Sequence, residues 1–272
     1  MSVEVQPPSA SPIKRPPSGP KRRIQLPART LRKDRWWLSP LGAALGLLAF
    51  VAYATWRAFE NKYYFADPYL SPFYSPCLAS SCADEGAPHL ALFKFAWISP
   101  ALYILVFPGG FRATCYYYRK AYYRSLWLSP PGCTVAEPHK GYTGETRFPL
   151  ILNNLHRYFW YVAVLFGAIL SWEALRSVWT HDGFHFGVGS VLLIINAILI
   201  LGYTFGCHSC RHITAGRMNS FSKHPIRYKF WTFVSRLNAK HSSWALISMY
   251  WIMGTDFYIR LVAAGTLSGG WV

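Results

Sequence analysis

The sequence predicts an all-α integral membrane protein: a bundle of five transmembrane helices with a cytoplasmic N-terminus and an external C-terminus. Three observations carry this. Hydrophobic residues make up 52% of the 272 residues and charged residues only 14%, where ordinary soluble domains carry roughly 25% charged residues. Five apolar stretches are each long enough to cross roughly 30 Å of hydrocarbon. Of the basic residues, 28 Lys+Arg against 11 Asp+Glu for a net charge of +17, 23 fall in the N-terminal tail and in alternate connections between those stretches. A wholly soluble enzyme, a collagen-like repeat and a small disulfide scaffold are excluded.

The spans are expected at about residues 41–59, 90–111, 158–178, 187–207 and 244–264. The fourth contains no charge and places Asn196 near its middle. The second contains Pro100 and Pro108, which predict a kink or an early end because each removes a backbone donor. Residues 1–36 form a basic tail rich in Pro and Ser, and residues 37–272 the membrane-anchor domain. The tail lacks the apolar central region and small-residue cleavage site of a signal peptide. It reads as a chain lying against anionic lipid or a partner.

The tail carries nine Lys and Arg, residues 112–157 carry seven, and residues 208–243 carry seven more. The opposite side holds only Arg57, Lys62 and Arg176. Basic residues favour the cytoplasmic side, which fixes the orientation and predicts a multi-pass protein of the plasma membrane. Nucleic acid is not an expected partner, because the spans partition the charge and no groove-reading motif occurs.

Cys77 and Cys82 lie in an outward loop, where they are either a disulfide or two free thiols. Cys115, His156, Cys207, Cys210 and His241 all fall at the cytoplasmic ends of spans. The spacing of Cys207 and Cys210 places both sulfurs on one helical face. Two thiolates and two imidazoles are the ligand set of a Rieske-type [2Fe–2S] centre. The same atoms suit zinc, two facing histidines suit a haem b, and plain packing of small apolar cysteines is the structural alternative. Cys133, His208, His212 and His224 read as loop residues, although His208 or His212 can replace a named ligand.

Ionisable residues inside spans are costly and mark functional paths by default. Here they are Lys94, Glu173, Asp256 and Arg260. Asp256 and Arg260 have the spacing of an ion pair on one helix face. His241 and Asp256 are separated by about 22 Å along a helix, so one face can carry a metal ligand near the cytoplasm and an acid farther out. The alternatives are a structural ion-pair network and a proton route from outside through Glu173, Asp256 and Arg260.

The segments GGFRATCYYYRKAYYRS (Gly109–Ser125), NNLHRYFWYV (Asn153–Val162), GCHSCRH (Gly206–His212) and WALISMYWIMGTDFYIRL (Trp244–Leu261) resemble the cytochrome b-type membrane-anchor subunit of actinobacterial succinate dehydrogenase, the mycobacterial kind in particular. The resemblance covers most of the chain after residue 90. It implies a flavoprotein subunit that oxidises succinate, an iron–sulfur subunit docked on the cytoplasmic face, and electron delivery to menaquinone. It leaves room for a higher oligomer such as a trimer.

Anchors of this superfamily often hold haem on histidines within the spans, and no span here has an interior histidine. The resemblance therefore implies a Cys/His centre held by Cys115, His156 and His241 with one or both of Cys207 and Cys210. A haem b held by His156 and His241 is the alternative. Tyr158 and Trp244, interfacial aromatics, are the expected quinone contacts, with ordinary belt aromatics as the structural alternative. A transporter or a purely structural membrane protein is the different-class reading. No paired broken helices of the kind inverted-repeat transporters need are evident.

Overall fold

The computed structural model describes residues 32–83, 86–93, 98–138, 146–148, 150–180 and 183–267. Most of the expected tail, up to residue 31, lies outside them, as do Lys94 and His181.

Helix α1 (Leu38–Glu60) is an uncharged apolar run up to Arg57 and ends where Asn61 takes a left-handed conformation, φ 51°. At 1.5 Å per residue its length is about 35 Å. Its side chains Leu41, Leu45, Leu48 and Val51 are exposed. An apolar stripe left uncovered along a whole helix is the surface that lipid covers.

The connection that follows α1 is irregular. Strands β1 (Phe65–Ala66) and β2 (Tyr69–Leu70) form a short hairpin. Strand β3 (Cys77–Ala79) pairs in parallel with β4 (His89–Phe93), and Cys77 and Cys82 form a disulfide.

The expected second span, about residues 90–111, is therefore not one helix. Its first residues are strand, because a short apolar run suits either conformation and β3 offers a pairing edge. The helical part is divided into α2 (Pro100–Ile104) and α3 (Val106–Thr114) with a break at Leu105. Pro108 accounts for the break, since it cannot donate to the Ile104 carbonyl and its ring crowds that carbonyl.

Helix α4 (Tyr116–Ser125) follows directly. After a 3₁₀ turn at Leu150–Leu155 come α5 (His156–Arg176), a hairpin of β5 (Trp179–Thr180) and β6 (Gly183–Phe184), and α6 (Val188–Phe205). Helices α7 (His208–Ala215), α8 (Pro225–Ala239) and α9 (His241–Ala263) complete the described chain.

Helix α6 packs between α5 and α9. Indole N–H groups tie these helices together: buried Trp160 Nε1 donates to Thr204 O at 2.9 Å and half-buried Trp251 Nε1 to Leu192 O at 3.1 Å. A Cβ on Gly202 would lie 2.6 Å from the Trp244 ring, so glycine there permits the close approach that membrane helices use.

Among the described residues, three helices are long and apolar enough to cross a membrane: Leu38–Glu60, Leu150–Arg176 (the 3₁₀ turn with α5) and Val188–Phe205. Helix α9 matches α1 in length but is less apolar, for Asp256 and Arg260 interrupt its apolar run, whereas the charges of α1, Arg57 and Glu60, fall at its end.

Candidate metal centre and buried charge network

Four helix junctions meet at one end of the bundle. Cys115 caps the N-terminus of α4 in extended conformation (φ −65°, ψ 133°), and Cys207 does the same for α7 (φ −67°, ψ 146°). His156 and His241 are the first residues of α5 and α9. At each cysteine the chain leaves one helix and enters another, which turns the side chain inward. Cys115 and Cys207 are 2% and 1% exposed.

The side chains meet as two Cys–His pairs. His156 Nε2 lies 3.0 Å from Cys207 Sγ, and His241 Nε2 lies 3.5 Å from Cys115 Sγ. The pairs adjoin, since Phe111, which stacks on His156, lies 5.1 Å from Tyr203, which stacks on His241. Each imidazole is stacked on an aromatic ring: His156 on Phe111 at 4.9 Å and 5°, His241 on Tyr203 at 5.0 Å and 9°.

The hydrogen bonds favour ligand-competent histidines. Thr114 Oγ1 donates to Gly110 O at 2.7 Å and lies 3.0 Å from His156 Nδ1. Its proton is thus used, and it accepts from Nδ1–H. Nε2 is left as a bare lone pair aimed at Cys207. A second-shell oxygen that fixes the tautomer is the usual support of a metal-binding histidine. His241 presents Nε2 to Cys115, and its other ring nitrogen, Nδ1, is buried with no hydrogen-bond partner. The donor set therefore fits a Cys₂His₂ group. Among the described residues no cluster of three or more donors is preformed around a single ion.

The pairing of Cys207 with Cys210 on one helical face is corrected. Helix α6 ends at Phe205 and Cys207 is extended, so the two cysteines do not share a helix. A Cβ on Gly206 would meet Gly202 O at 2.7 Å, and Asn238 Nδ2 grips Gly206 O at 2.8 Å. Cys210 is buried on α7, and burial pushes its thiol up from the ordinary cysteine range. Cys133 is exposed, His208 is exposed, and His212 contacts Arg157 at 2.9 Å.

Sequence reasoning placed Arg112 with the cytoplasmic charges, yet it is only 8% exposed. Its guanidinium donates to the Tyr118 hydroxyl, to Ala245 O at 3.3 Å and to Ser248 Oγ at 3.1 Å. It also lies 4.9 Å from the centroid of Tyr203. Its position beside four aromatic residues in GGFRATCYYY was the available signal.

The expected Asp256–Arg260 ion pair is also corrected. Asp256 is fully buried and bonds Arg57 Nε at 2.8 Å, with the Tyr53 and Ser71 hydroxyls donating to it as well. Arg260 instead reaches Glu60 Oε1 at 2.6 Å and lies over the Trp56 ring. Arg57 also bonds Glu60, so α1 supplies the partners of both residues and the network joins it to α9. Two charges four apart can pair across a turn, but partners on a packed neighbour offered a more complete shell. Glu173 is half-buried on α5; its backbone carbonyl accepts from Ser177 N at 2.9 Å, and among the described residues its carboxylate makes no hydrogen bond or ion pair.

A cavity of about 1610 Å³ opens between α1, α3 and α4, lined by Leu47, Phe50, Arg112, Thr114, Tyr118 and Phe159 among others. Thr114 thus touches both the cavity and His156. The two expected quinone contacts are not in its lining. Tyr158 is 68% exposed, and Trp244 is packed against the Cys/His core with its indole N–H buried and unpartnered.

The family model described as actinobacterial succinate dehydrogenase subunit SdhC matches residues 38–265. Among solved structures, a chain of the Mycobacterium smegmatis Sdh1 complex in the apo form is 52% identical with a TM-score of 0.83, over 93% of this chain and 98% of that one. Among curated proteins nothing matches. The chain belongs to the actinobacterial SdhC family and is a subunit of succinate dehydrogenase.

Proposed function

We propose that this subunit anchors the complex in the plasma membrane as a five-span bundle and carries electrons from the iron–sulfur subunit to menaquinone. In this reading Cys115, His156, Cys207 and His241 hold a Rieske-type [2Fe–2S] centre. The observation that carries it is the convergence of two buried Cys–His pairs from four helix junctions at one end of the bundle. Cys207 is preferred to Cys210 because its sulfur faces an imidazole.

When bound, a [2Fe–2S] group supplies one-electron transfer, and histidine ligation raises its potential relative to all-cysteine clusters. The chain's own residues orient and insulate it. Thr114 fixes the His156 tautomer, Phe111 and Tyr203 clamp the two rings, and surrounding aromatics exclude water. A haem b reading finds less support, since each Nε2 faces a thiol.

Menaquinone is assigned to the cavity between α1, α3 and α4, where an apolar wall suits its tail and Arg112, Thr114 and Tyr118 supply polar contacts. Trp244, with its free indole N–H, remains a candidate from the far side of the core, whereas Tyr158 suits the lipid surface.

The orientation is supported by both ends. The Cys/His end adjoins the basic helices α4, α7 and α8, while the opposite end holds the Cys77–Cys82 disulfide, which suits an oxidising exterior. Helix α8 exposes Ile226, Phe230 and Phe233 beside Arg227 and Lys229, a mixed apolar and basic surface on which the iron–sulfur and flavoprotein subunits can dock. A proton route now rests on Glu173 alone, because Asp256 and Arg260 are occupied in the clamp between α1 and α9.

The test is the purified complex, examined optically and by electron paramagnetic resonance after reduction. A Rieske-type signal that needs Cys115, His156, Cys207 and His241 supports the reading. Sharp haem bands without such a signal overturn it.

A further inference from the structure

A guanidinium taken out of water is costly unless an anion faces it. Arg112 is buried, and each of its three acceptors is neutral: a phenol, a backbone carbonyl and a serine hydroxyl. Among the described residues no carboxylate pairs with it; the ion pairs there are Arg32–Asp34, Arg57–Glu60, Arg57–Asp256 and Arg260–Glu60. The contrast with Arg57, also buried but matched by two carboxylates, is within one chain.

The surplus positive charge sits beside the Cys/His pairs. The Arg112 guanidinium lies 4.9 Å from the centroid of Tyr203, Tyr203 is stacked on the parallel ring of His241 at 5.0 Å, and His241 faces Cys115 at 3.5 Å. Cys115 itself is three residues along the chain, at the end of the helix that carries Arg112.

We propose that Arg112 is a redox-tuning residue that raises the reduction potential of the group held by Cys115, His156, Cys207 and His241. The inference rests on the Rieske-type reading above. The charge balance gives its sign. An oxidised [2Fe–2S]²⁺ core with two thiolates and two neutral imidazoles is neutral overall. Accepting one electron, from the iron–sulfur subunit in the complex or from a chemical reductant in the cuvette, makes it −1. A fixed buried cation stabilises the −1 form and leaves the neutral form nearly unaffected, and low local polarity strengthens the effect.

The experiment is a potentiometric titration of the purified complex followed by electron paramagnetic resonance. R112Q removes the charge. S248D keeps Arg112 but places a carboxylate on its guanidinium, with S248A as the neutral control, and R112K retains a cation. The expected result is that R112Q and S248D each shift the reduction equilibrium at least about tenfold toward the oxidised form, equivalent to about 59 mV for one electron. R112K and S248A should shift it much less, and all should keep the line shape of the signal. Either charge-removing variant suffices if the other fails to assemble. A loaded R112Q or S248D complex with an unchanged midpoint overturns the proposal while leaving the centre intact. A wild-type complex with no such signal removes the centre itself, and the proposal with it.

Discussion

His156 Nε2 lies 3.0 Å from Cys207 Sγ although the residues are 51 positions apart. The contact exists because a helix begins at one residue and a helix break falls at the other. The same arrangement recurs at His241 and Cys115. Cys115→Ser, Cys207→Ser, His156→Ala and His241→Ala should each abolish the paramagnetic signal of the reduced complex. Cys210→Ser and Cys133→Ser should retain it. Loss of the signal in Cys210→Ser with survival in Cys207→Ser would reassign the ligand.

Thr114 donates to Gly110 O and accepts from His156 Nδ1, which holds His156 in the tautomer that frees Nε2. Thr114→Val keeps the shape and removes the acceptor. Loss of such outer-shell partners typically costs 10–100-fold in metal affinity, so iron per complex should fall during chelator challenge. Iron retention equal to wild type would show that Phe111 stacking alone suffices.

Asp256 and Arg57 are both fully buried. Removing one partner of such a pair costs about 3–5 kcal/mol, whereas replacing both with apolar groups is often neutral. Asp256→Ala should therefore lower the thermal stability and yield of the complex, and Arg57→Met with Asp256→Leu should recover much of the loss. A stable, slow Asp256→Ala enzyme would argue for a direct part in turnover.

Glu173 stands outside that network. Glu173→Gln should leave assembly unchanged and slow proton-coupled turnover in sealed vesicles, whereas uncoupled turnover should change little. Equal rates in both conditions would remove Glu173 from any proton route.

The Cys77–Cys82 bridge closes a loop with a sequence separation of 5. Loop-closure entropy for so short a loop gives about 2 kcal/mol. Mass spectrometry without reductant should find this bridge and leave Cys115, Cys207 and Cys210 unbridged. Cys77→Ser with Cys82→Ser should lower the melting temperature without altering the spectrum.

The apolar runs of α1, α5 and α6 were legible because long uncharged stretches admit one explanation. Leu90–Phe93 was not, since four or five apolar residues fit strand and helix equally, and the deciding partner, β3, lies outside the run. Pro108 did announce the break at Leu105. The candidate ligands could be read from their depth at span ends, but their pairing could not, because it depends on which helix ends meet. Gly206 was the local clue that Cys207 leaves α6. The Asp256–Arg260 spacing misled because tertiary partners on α1 outcompeted the local one. Arg112 was missed because a span boundary placed one turn too early turns a buried cation into a loop charge.

The most direct test is pulsed electron paramagnetic resonance on the reduced complex prepared with ¹⁵N-labelled histidine. Hyperfine coupling to two histidine nitrogens, lost together with the signal itself in His156→Ala and in His241→Ala, is the predicted result. A signal without histidine coupling, or haem absorption in its place, would contradict the account.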